Sequence, residues 1–104
     1  MDLSRMMKQA QKMQKDMASA QAALAERTVE ATAGGGKVKV TATASGDVTS
    51  IRIDPSVVDP TDVEILEDLI LTGVRQALAE GRRVSETEMK KITAGMGLPP
   101  GMGF

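Results

Sequence analysis

The sequence contains no cysteine, histidine, tryptophan or tyrosine, and Phe104 is its only aromatic residue. The lack of cysteine excludes disulfide bonds and thiolate metal sites. The lack of histidine and cysteine removes the commonest general base and the strongest nucleophile. A core of Ala, Val, Ile, Leu and Met has no large rings to anchor it. We therefore expect dimerisation to add burial that 104 residues cannot supply alone.

Other missing patterns narrow the class of protein further. No segment approaches the ~18 apolar residues of a membrane span, and the N-terminus lacks the apolar region of a signal peptide. We expect a soluble, unprocessed, cytoplasmic protein that does not act on membranes. The carboxylates of residues 54–68 lack the glycine and ligand spacing of a calcium loop, and no serine lies in a nucleophile-elbow motif. These patterns predict a non-enzyme with no metal, no cofactor and no small-molecule substrate.

The N-terminal segment has the periodicity of one long amphipathic helix, from about Leu3 to about Glu26. Apolar residues recur at alternating spacings of three and four, which is typical of a narrow seam packed against a neighbouring element. We interpret its methionines as core rather than as an adaptable binding surface. The apolar seam consists of Leu3, Met6, Ala10, Met13, Met17, Ala20 and Leu24.

Basic residues follow the same rhythm on the other side of this helix. At 100° per residue they fall within an arc of about 80° centred roughly opposite the seam. The stripe is ~15 Å long, so it could meet several phosphates of a DNA duplex, which carries one charge per ~1.7 Å. The basic stripe consists of Arg5, Lys8, Lys12 and Lys15.

The middle of the chain changes to a β pattern. Alternating residues predict strands at 28–33, 37–44 and 48–54, joined as an antiparallel meander. Ile51 and Ile53 should point inward, and Val48 breaks their parity, which predicts a bulge or a twisted start of the strand there. The three glycines before Lys37 favour a hairpin turn over a phosphate loop, because a strand follows them instead of a helix. One face of the second strand should be buried, with Val38, Val40, Ala42 and Ala44.

A C-terminal helical region follows, with an apolar stripe from Val63 to Leu78. Thr61 and Glu64 have the spacing of a capping box at its start. Gly81 either ends this helix or is tolerated within it, and a second capping box at Ser85 makes a break between 81 and 85 plausible. Helical character ends near Ala94. We expect one domain over residues 1–94 and a mobile or partner-ordered Gly/Pro/Met tail over 95–104.

Four stretches in this order and spacing make the chain similar to the YbaB/EbfC family of bacterial nucleoid-associated proteins. Each stretch alone is a weak signal, but together they cover nearly the whole length. They are residues 6–14 (MMKQAQKMQ), 36–40 (GKVKV), 51–56 (IRIDPS, followed by EDL at 67–69) and 95–101 (GMGLPPG).

The resemblance implies an α+β fold with α-β-β-β-α topology, assembled as a tweezer-like homodimer. It implies binding of double-stranded DNA with little sequence preference, location at the nucleoid, and roles in nucleoid organisation, gene regulation or recombinational repair. Phosphate contacts should dominate, since the chain has no aromatic wedge for kinking DNA. Carried onto this sequence, the family's two DNA-binding helical regions point to Arg5, Lys8, Lys12, Lys15, Arg82, Arg83, Lys90 and Lys91.

The charge distribution leaves an alternative function open. The net charge is −1, but the order along the chain is basic, acidic, basic, which allows one attractive face on a nearly neutral protein. An acidic protein could bind the basic helical arms in place of DNA. The alternative is therefore a protein-interaction module with the same fold.

Overall fold

The computed structural model describes residues 2–95, so the predicted tail beyond Gly95 lies outside the described residues. The α+β fold and the α-β-β-β-α order are confirmed. The elements are α1 (Leu3–Glu26), β1 (Thr28–Ala33), β2 (Val38–Thr43), β3 (Val48–Ile53), a 3-10 turn (Pro55–Val57) and α2 (Val63–Gly95).

The sheet is an antiparallel meander in the order β1-β2-β3, as predicted. The turn between β1 and β2 uses Gly34 at φ +63° and Gly35 at φ +68°, conformations that L side chains rarely adopt. This confirms the hairpin turn at the glycine run. The predicted bulge is also present, because Ala42 pairs with Val48 while Thr41 pairs with Ser50, which leaves Thr49 as the extra residue.

α2 lies across the inner face of the sheet and covers β1 and β2. The side chains of Val38, Val40 and Ala42 are fully buried beneath it, as the alternation predicted. Each buried valine stabilises the fold by about 1.5–3 kcal/mol relative to an exposed one. Small residues on the helix, Gly73 and Ala77, are buried at this contact and allow the two backbones to approach closely.

Of the two alternatives left open at Gly81, the structure shows the longer helix, because α2 is continuous from Val63 to Gly95 with no break between residues 81 and 85. Gly81 is buried, and a Cβ placed on it would lie 2.9 Å from the carbonyl oxygen of Thr43. The glycine is therefore needed for close contact with the end of β2, and it does not end the helix. Ser85, read as a second cap, is an interior helical residue.

The predicted capping box at Thr61 is also absent. α2 begins at Val63, and both the backbone N–H and the hydroxyl of Thr61 donate to Asp59 Oδ1, at 2.9 and 2.7 Å. The Asp59 side chain therefore orders the turn before the helix. A local aspartate turn has replaced the cap that the spacing predicted.

Ile51 and Ile53 point inward, as predicted, but they are not buried within one chain. They pair with Val40 and Val38, so they share the inner face of the sheet. α2 covers that face over β1 and β2 but makes little contact with β3, so Ile51 remains 42% exposed and Ile53 37%. An apolar strip at the β3 edge is left uncovered within one chain.

α1 packs against α2 through only half of its apolar seam. Leu24 is buried, and Ala20, Met17 and Met13 are half-buried. Arg27, just after α1, forms a salt bridge with Glu88 of α2 at 3.4 Å. The prediction of a buried seam is wrong for the other end of the helix, where three residues are exposed. These are Leu3 (69% exposed), Met6 (52%) and Ala10.

The two helices extend well beyond the sheet. The molecule measures 71 × 22 × 16 Å, and its radius of gyration is 19.4 Å. A compact chain of this size has a radius of gyration of about 13 Å. The first half of α1 is thus part of a projecting arm, far from the core.

Candidate nucleic-acid interface

The basic stripe lies on the solvent side of the projecting helix. Its four side chains are all exposed, while the seam on the opposite side of α1 packs on α2 or remains bare. Within residues 2–95, none of these cations forms a salt bridge. The stripe therefore presents uncompensated positive charge. Its members are Arg5, Lys8, Lys12 and Lys15.

Two acidic residues are close enough in sequence to pair with the stripe, but neither does. Asp2 is the N-cap of α1, and its carboxylate accepts a hydrogen bond from the backbone N–H of Arg5 at 3.3 Å. Asp16 is four residues after Lys12, yet no salt bridge joins them. Asp2 instead satisfies one of the free N–H groups at the start of the helix.

The four predicted cations of α2 divide into two kinds. Arg83 donates from Nε and Nη2 to the two carboxylate oxygens of Glu80, and Lys91 pairs with Glu88 at 3.2 Å. Arg82 and Lys90 are exposed and take part in none of the salt bridges among the described residues. Only Arg82 and Lys90 of this set are free to meet an external anion without first leaving a carboxylate.

The pairing of Arg83 also shifts proton affinities. The hydrogen bonds from Arg83 lower the pKa of the Glu80 carboxyl, and Glu80 in turn raises the pKa of Arg83. Both groups are exposed, so solvent screens their attraction. Arg83 must still leave the Glu80 carboxylate before it binds an external anion, which makes it a weaker candidate for a phosphate contact than Arg82.

Sequence reasoning missed Arg75. It is exposed on α2, forms no salt bridge within the described residues, and precedes Arg82 by seven residues. Seven residues are two helical turns, so Arg75 and Arg82 lie on one face about 10 Å apart. That spacing in an exposed helix was the signal that could have identified it.

Two of the three cations on the sheet and its turns, Lys37 and Lys39, are paired, whereas Arg52 of β3 is exposed and takes part in none of the salt bridges among residues 2–95. Lys37 binds Asp54 at 3.5 Å, and Lys39 binds Glu30 at 3.3 Å. Both ion pairs are solvent-exposed, so each contributes little to stability. Free positive charge is therefore concentrated on the helices.

In the acidic segment, residues 54–68, the carboxylates of Asp54 and Asp59 accept hydrogen bonds from residues two positions later in the chain. Hydrogen bonds from Ser56 lower the pKa of the Asp54 carboxyl, and those from Thr61 lower the pKa of the Asp59 carboxyl.

No three His, Cys, Asp or Glu side chains between residues 2 and 95 are grouped to hold a metal ion. Over the same range, neither helix is long and apolar enough to cross a membrane.

A projecting helix with unpaired cations, beside a three-stranded sheet and a second long helix, matches one known family. The model of the YbaB/EbfC DNA-binding family aligns with residues 1–96. The chain belongs to this family. Family membership confirms the resemblance seen in the sequence and supplies a partner, DNA, that suits the charge of the exposed helix.

Curated relatives match this YbaB/EbfC chain over nearly its full length. A nucleoid-associated protein of Akkermansia muciniphila is 50% identical over 104 residues, covering 100% of both chains. One from Ruminiclostridium cellulolyticum is 48% identical and covers 97% of this chain and 88% of its own. One from Acetivibrio thermocellus is 50% identical, with 97% and 89% covered. All three come from bacteria.

A solved structure supports the fold independently. The crystal structure of an uncharacterised Helicobacter pylori protein superimposes with a TM-score of 0.68. It covers 92% of this chain and 97% of its own, at 23% sequence identity. At that identity the likeness concerns the fold alone.

Proposed function

We propose that this YbaB/EbfC protein binds double-stranded DNA as a homodimer, mainly through phosphate contacts and with little sequence preference. The observation that carries the proposal is the exposed, unpaired basic stripe on a projecting helix. Cations already paired in the protein must break a salt bridge to bind phosphate, whereas these need not. The stripe is therefore the main contact, and Arg82 and Lys90 are two further cations that can bind phosphate without breaking a salt bridge.

Phosphate contacts explain weak sequence preference. The backbone charge of DNA is the same at every base pair, so Lys and Arg that reach only phosphates carry no sequence information. The chain also has a single aromatic residue, Phe104, so it has no series of aromatic rings for stacking on successive bases. Binding of this kind suits a protein located in the cytoplasm on the bacterial nucleoid, with roles in nucleoid organisation, gene regulation or repair.

The homodimer is supported by the uncovered apolar strip of β3. Ile51 and Ile53 are exposed on the inner face of the sheet, and β3 is an edge strand with free backbone hydrogen-bonding groups. Exposed Val58, Val63 and Leu71 follow soon after in the chain. A second copy that covers the β3 strip would bury Ile51 and Ile53 and double the number of available stripes.

The test is a salt titration of binding to random duplex DNA, with the oligomer mass measured in the same buffers. Two stripes that neutralise about six phosphates predict that log K falls with log salt at a slope near −5. The mass should be that of two chains. A slope near zero would contradict the electrostatic mechanism, and a monomer that binds with the full slope would contradict the dimer.

A further inference from the structure

The projecting end of α1 keeps the spacing of a helix that pairs with another helix. Leu3, Met6 and Ala10 continue the three-and-four spacing of the residues that pack on α2, yet all three are exposed. Met7 beside them is 62% exposed. In a heptad that begins at Leu3, Leu3 and Ala10 occupy position a, Met6 position d and Met7 position e. These four side chains form one continuous apolar strip, which we call the bare seam.

The same heptad places every cation of the basic stripe away from the bare seam. Positions e and g flank the seam of a paired helix, whereas c and f lie on its outer side. Between Leu3 and Ala10, the flanking positions hold Met7 and Gln9, which are uncharged. Two bare seams therefore approach each other without bringing cations together. The stripe occupies position c with Arg5 and Lys12, and position f with Lys8 and Lys15.

A second copy of the same helix end fits the bare seam best in the antiparallel direction. In an antiparallel pair that is centred near Lys8, Met6 of each helix lies beside Ala10 of the other. A large side chain then meets a small one, which favours close packing. The antiparallel direction also keeps the two helix N-termini apart, each of which carries a partial positive charge.

The bare seam is too small to hold two proteins together by itself in dilute solution. Its four side chains offer far less than the ~800 Å² per partner of a standard stable interface. DNA that binds many copies raises their local concentration, so a weak second contact becomes effective there. Pairing of the bare seams is therefore expected mainly where DNA has already gathered the protein.

We propose that the α1 helices of two DNA-bound homodimers pair antiparallel through the bare seam and so bridge two duplexes. This inference rests on the proposed function for its DNA and its homodimer. The basic stripe lies about 180° from the seam around the helix, so pairing leaves the two stripes facing outward in opposite directions. Two helices side by side are about 20 Å across, and this thickness separates the two duplexes.

Cross-linking through one introduced cysteine tests the pairing without DNA. The chain has no cysteine, so Ala10→Cys places a single thiol per subunit on the bare seam. Gln11→Cys is the matched control, because Gln11 is also exposed but points about 100° away around the helix. In concentrated protein, a short bismaleimide should link Ala10→Cys about fivefold faster than Gln11→Cys, since pairing brings the seam thiols together. Equal rates would overturn the pairing.

The native mass of the linked Ala10→Cys protein shows which helices pair. A link between two homodimers at least doubles the mass that the protein has before linking, whereas a link within one homodimer leaves it unchanged. Analytical ultracentrifugation should show the doubled mass. An unchanged mass would overturn the bridging arrangement, since the two α1 helices of one homodimer would then cover each other.

Recovery of a labelled duplex on beads that carry a second duplex measures bridging directly. Met6→Gln keeps every cation and a similar helix propensity, and a two-fold contact loses two methionines at once. We expect bridging to fall about tenfold, because both buried thioether side chains are lost. Affinity for a single short duplex should stay unchanged. Equal bridging by Met6→Gln and the wild type would overturn the proposal.

Ile65→Gln provides the matched control for this loss of apolar surface. Ile65 of α2 is 54% exposed and Met6 is 52% exposed, so both variants remove an apolar side chain of similar exposure. Ile65→Gln should bridge duplexes as the wild type does. An equal loss of bridging in the two variants would show that general surface hydrophobicity, and not the bare seam, is responsible, and would overturn the proposal.

The two experiments separate failure of this inference from failure of the proposed function. If the wild type does not bind duplex DNA but the seam thiol still links two assemblies, the proposed function fails and the pairing of the helices stands. If the wild type binds DNA but neither cross-linking nor bridging depends on the bare seam, the proposed function stands and the pairing is overturned.

Discussion

Gly81 and Thr43 bring the backbones of α2 and β2 into contact. A Cβ on Gly81 would lie 2.9 Å from the carbonyl oxygen of Thr43 and 3.3 Å from the Cα of the next residue, Ala44. Both neighbours are backbone atoms, which cannot rotate away as a side chain can. The continuous helix and the adjacent sheet therefore depend on the absence of a side chain at this position.

Gly81→Ala should destabilise the protein by about 1–3 kcal/mol, because the added methyl group overpacks the contact. Alanine favours a helix over glycine by about 1 kcal/mol, so propensity alone predicts the opposite sign. The measurement is a thermal or urea melt. The exposed Ala79 offers the control, since Ala79→Gly should lose only the propensity. A higher melting temperature for Gly81→Ala would contradict the close contact.

Lys8→Gln/Lys12→Gln should weaken DNA binding strongly and make the salt slope shallower by about 2–4, since each neutralised cation removes one phosphate contact per stripe in a dimer. The matched control is Lys37→Gln/Lys39→Gln, which removes the same charge from cations that are paired with Asp54 and Glu30. Filter binding at several salt concentrations measures both. Equal losses in the two variants would show that net charge, and not the stripe, controls binding.

Neighbouring arginines on α2 provide a second matched pair. Arg82→Gln should reduce DNA affinity more than Arg83→Gln, because Arg82 is unpaired among the described residues and Arg83 is held by Glu80. Both substitutions remove one charge at adjacent helical positions. Electrophoretic shift titrations at one salt concentration give the comparison. A larger loss for Arg83→Gln would indicate that its salt bridge opens on binding.

Ile51→Asp should dissociate the homodimer, because it places a charge in the apolar strip that we assign to the subunit contact. The chain should remain folded, since Ile51 is already 42% exposed in one subunit. Ser50→Asp, on the outer face of the same strand, is the control and should leave the mass unchanged. Analytical ultracentrifugation measures the mass, and a stable dimer of the Ile51→Asp variant would place the interface elsewhere.

Asp59 should respond to loss of the Thr61 hydroxyl. That group is the main cause of the lowered pKa of the Asp59 carboxyl, so Thr61→Ala should raise this pKa towards the ordinary value of 3.8. The pKa of Asp54, which depends on Ser56, should not change. Carboxyl carbon chemical shifts followed by NMR during an acid titration report both groups. An unmoved Asp59 would contradict the hydrogen bond.

The sign of the linked pH effect follows from the lowered pKa. The ionised Asp59 stabilises the fold above its ordinary pKa, and this contribution is lost as the pH falls through the lowered value. The melting-temperature difference between wild type and Thr61→Ala should therefore shrink as the pH drops from about 7 to about 2. A difference that grows in acid would contradict the assignment.

Periodicity alone determined the elements of this protein and one face of its sheet. The bounds of α1, the meander, the hairpin at the glycine run and the bulge at Val48 all follow from spacing and turn chemistry. The burial of Val38 and Val40 also follows from the alternation of residues along β2. These features depend on residues that are close in sequence, or on alternation within a single strand.

Only the tertiary structure decided which of the patterned residues are buried, exposed or paired. Ile51 has the spacing of a core residue, but α2 does not extend over β3. Met6 continues the seam of Met17, but Met6 is exposed whereas Met17 is half-buried. Gly81 is a residue type that often ends helices, but here it lies inside α2, where the absence of a side chain allows close contact with the end of β2. Arg82 and Arg83 differ only in whether a carboxylate is within reach. Each outcome depends on which segment, remote in sequence, packs against the residue in the folded chain. Local periodicity carries no information about such contacts.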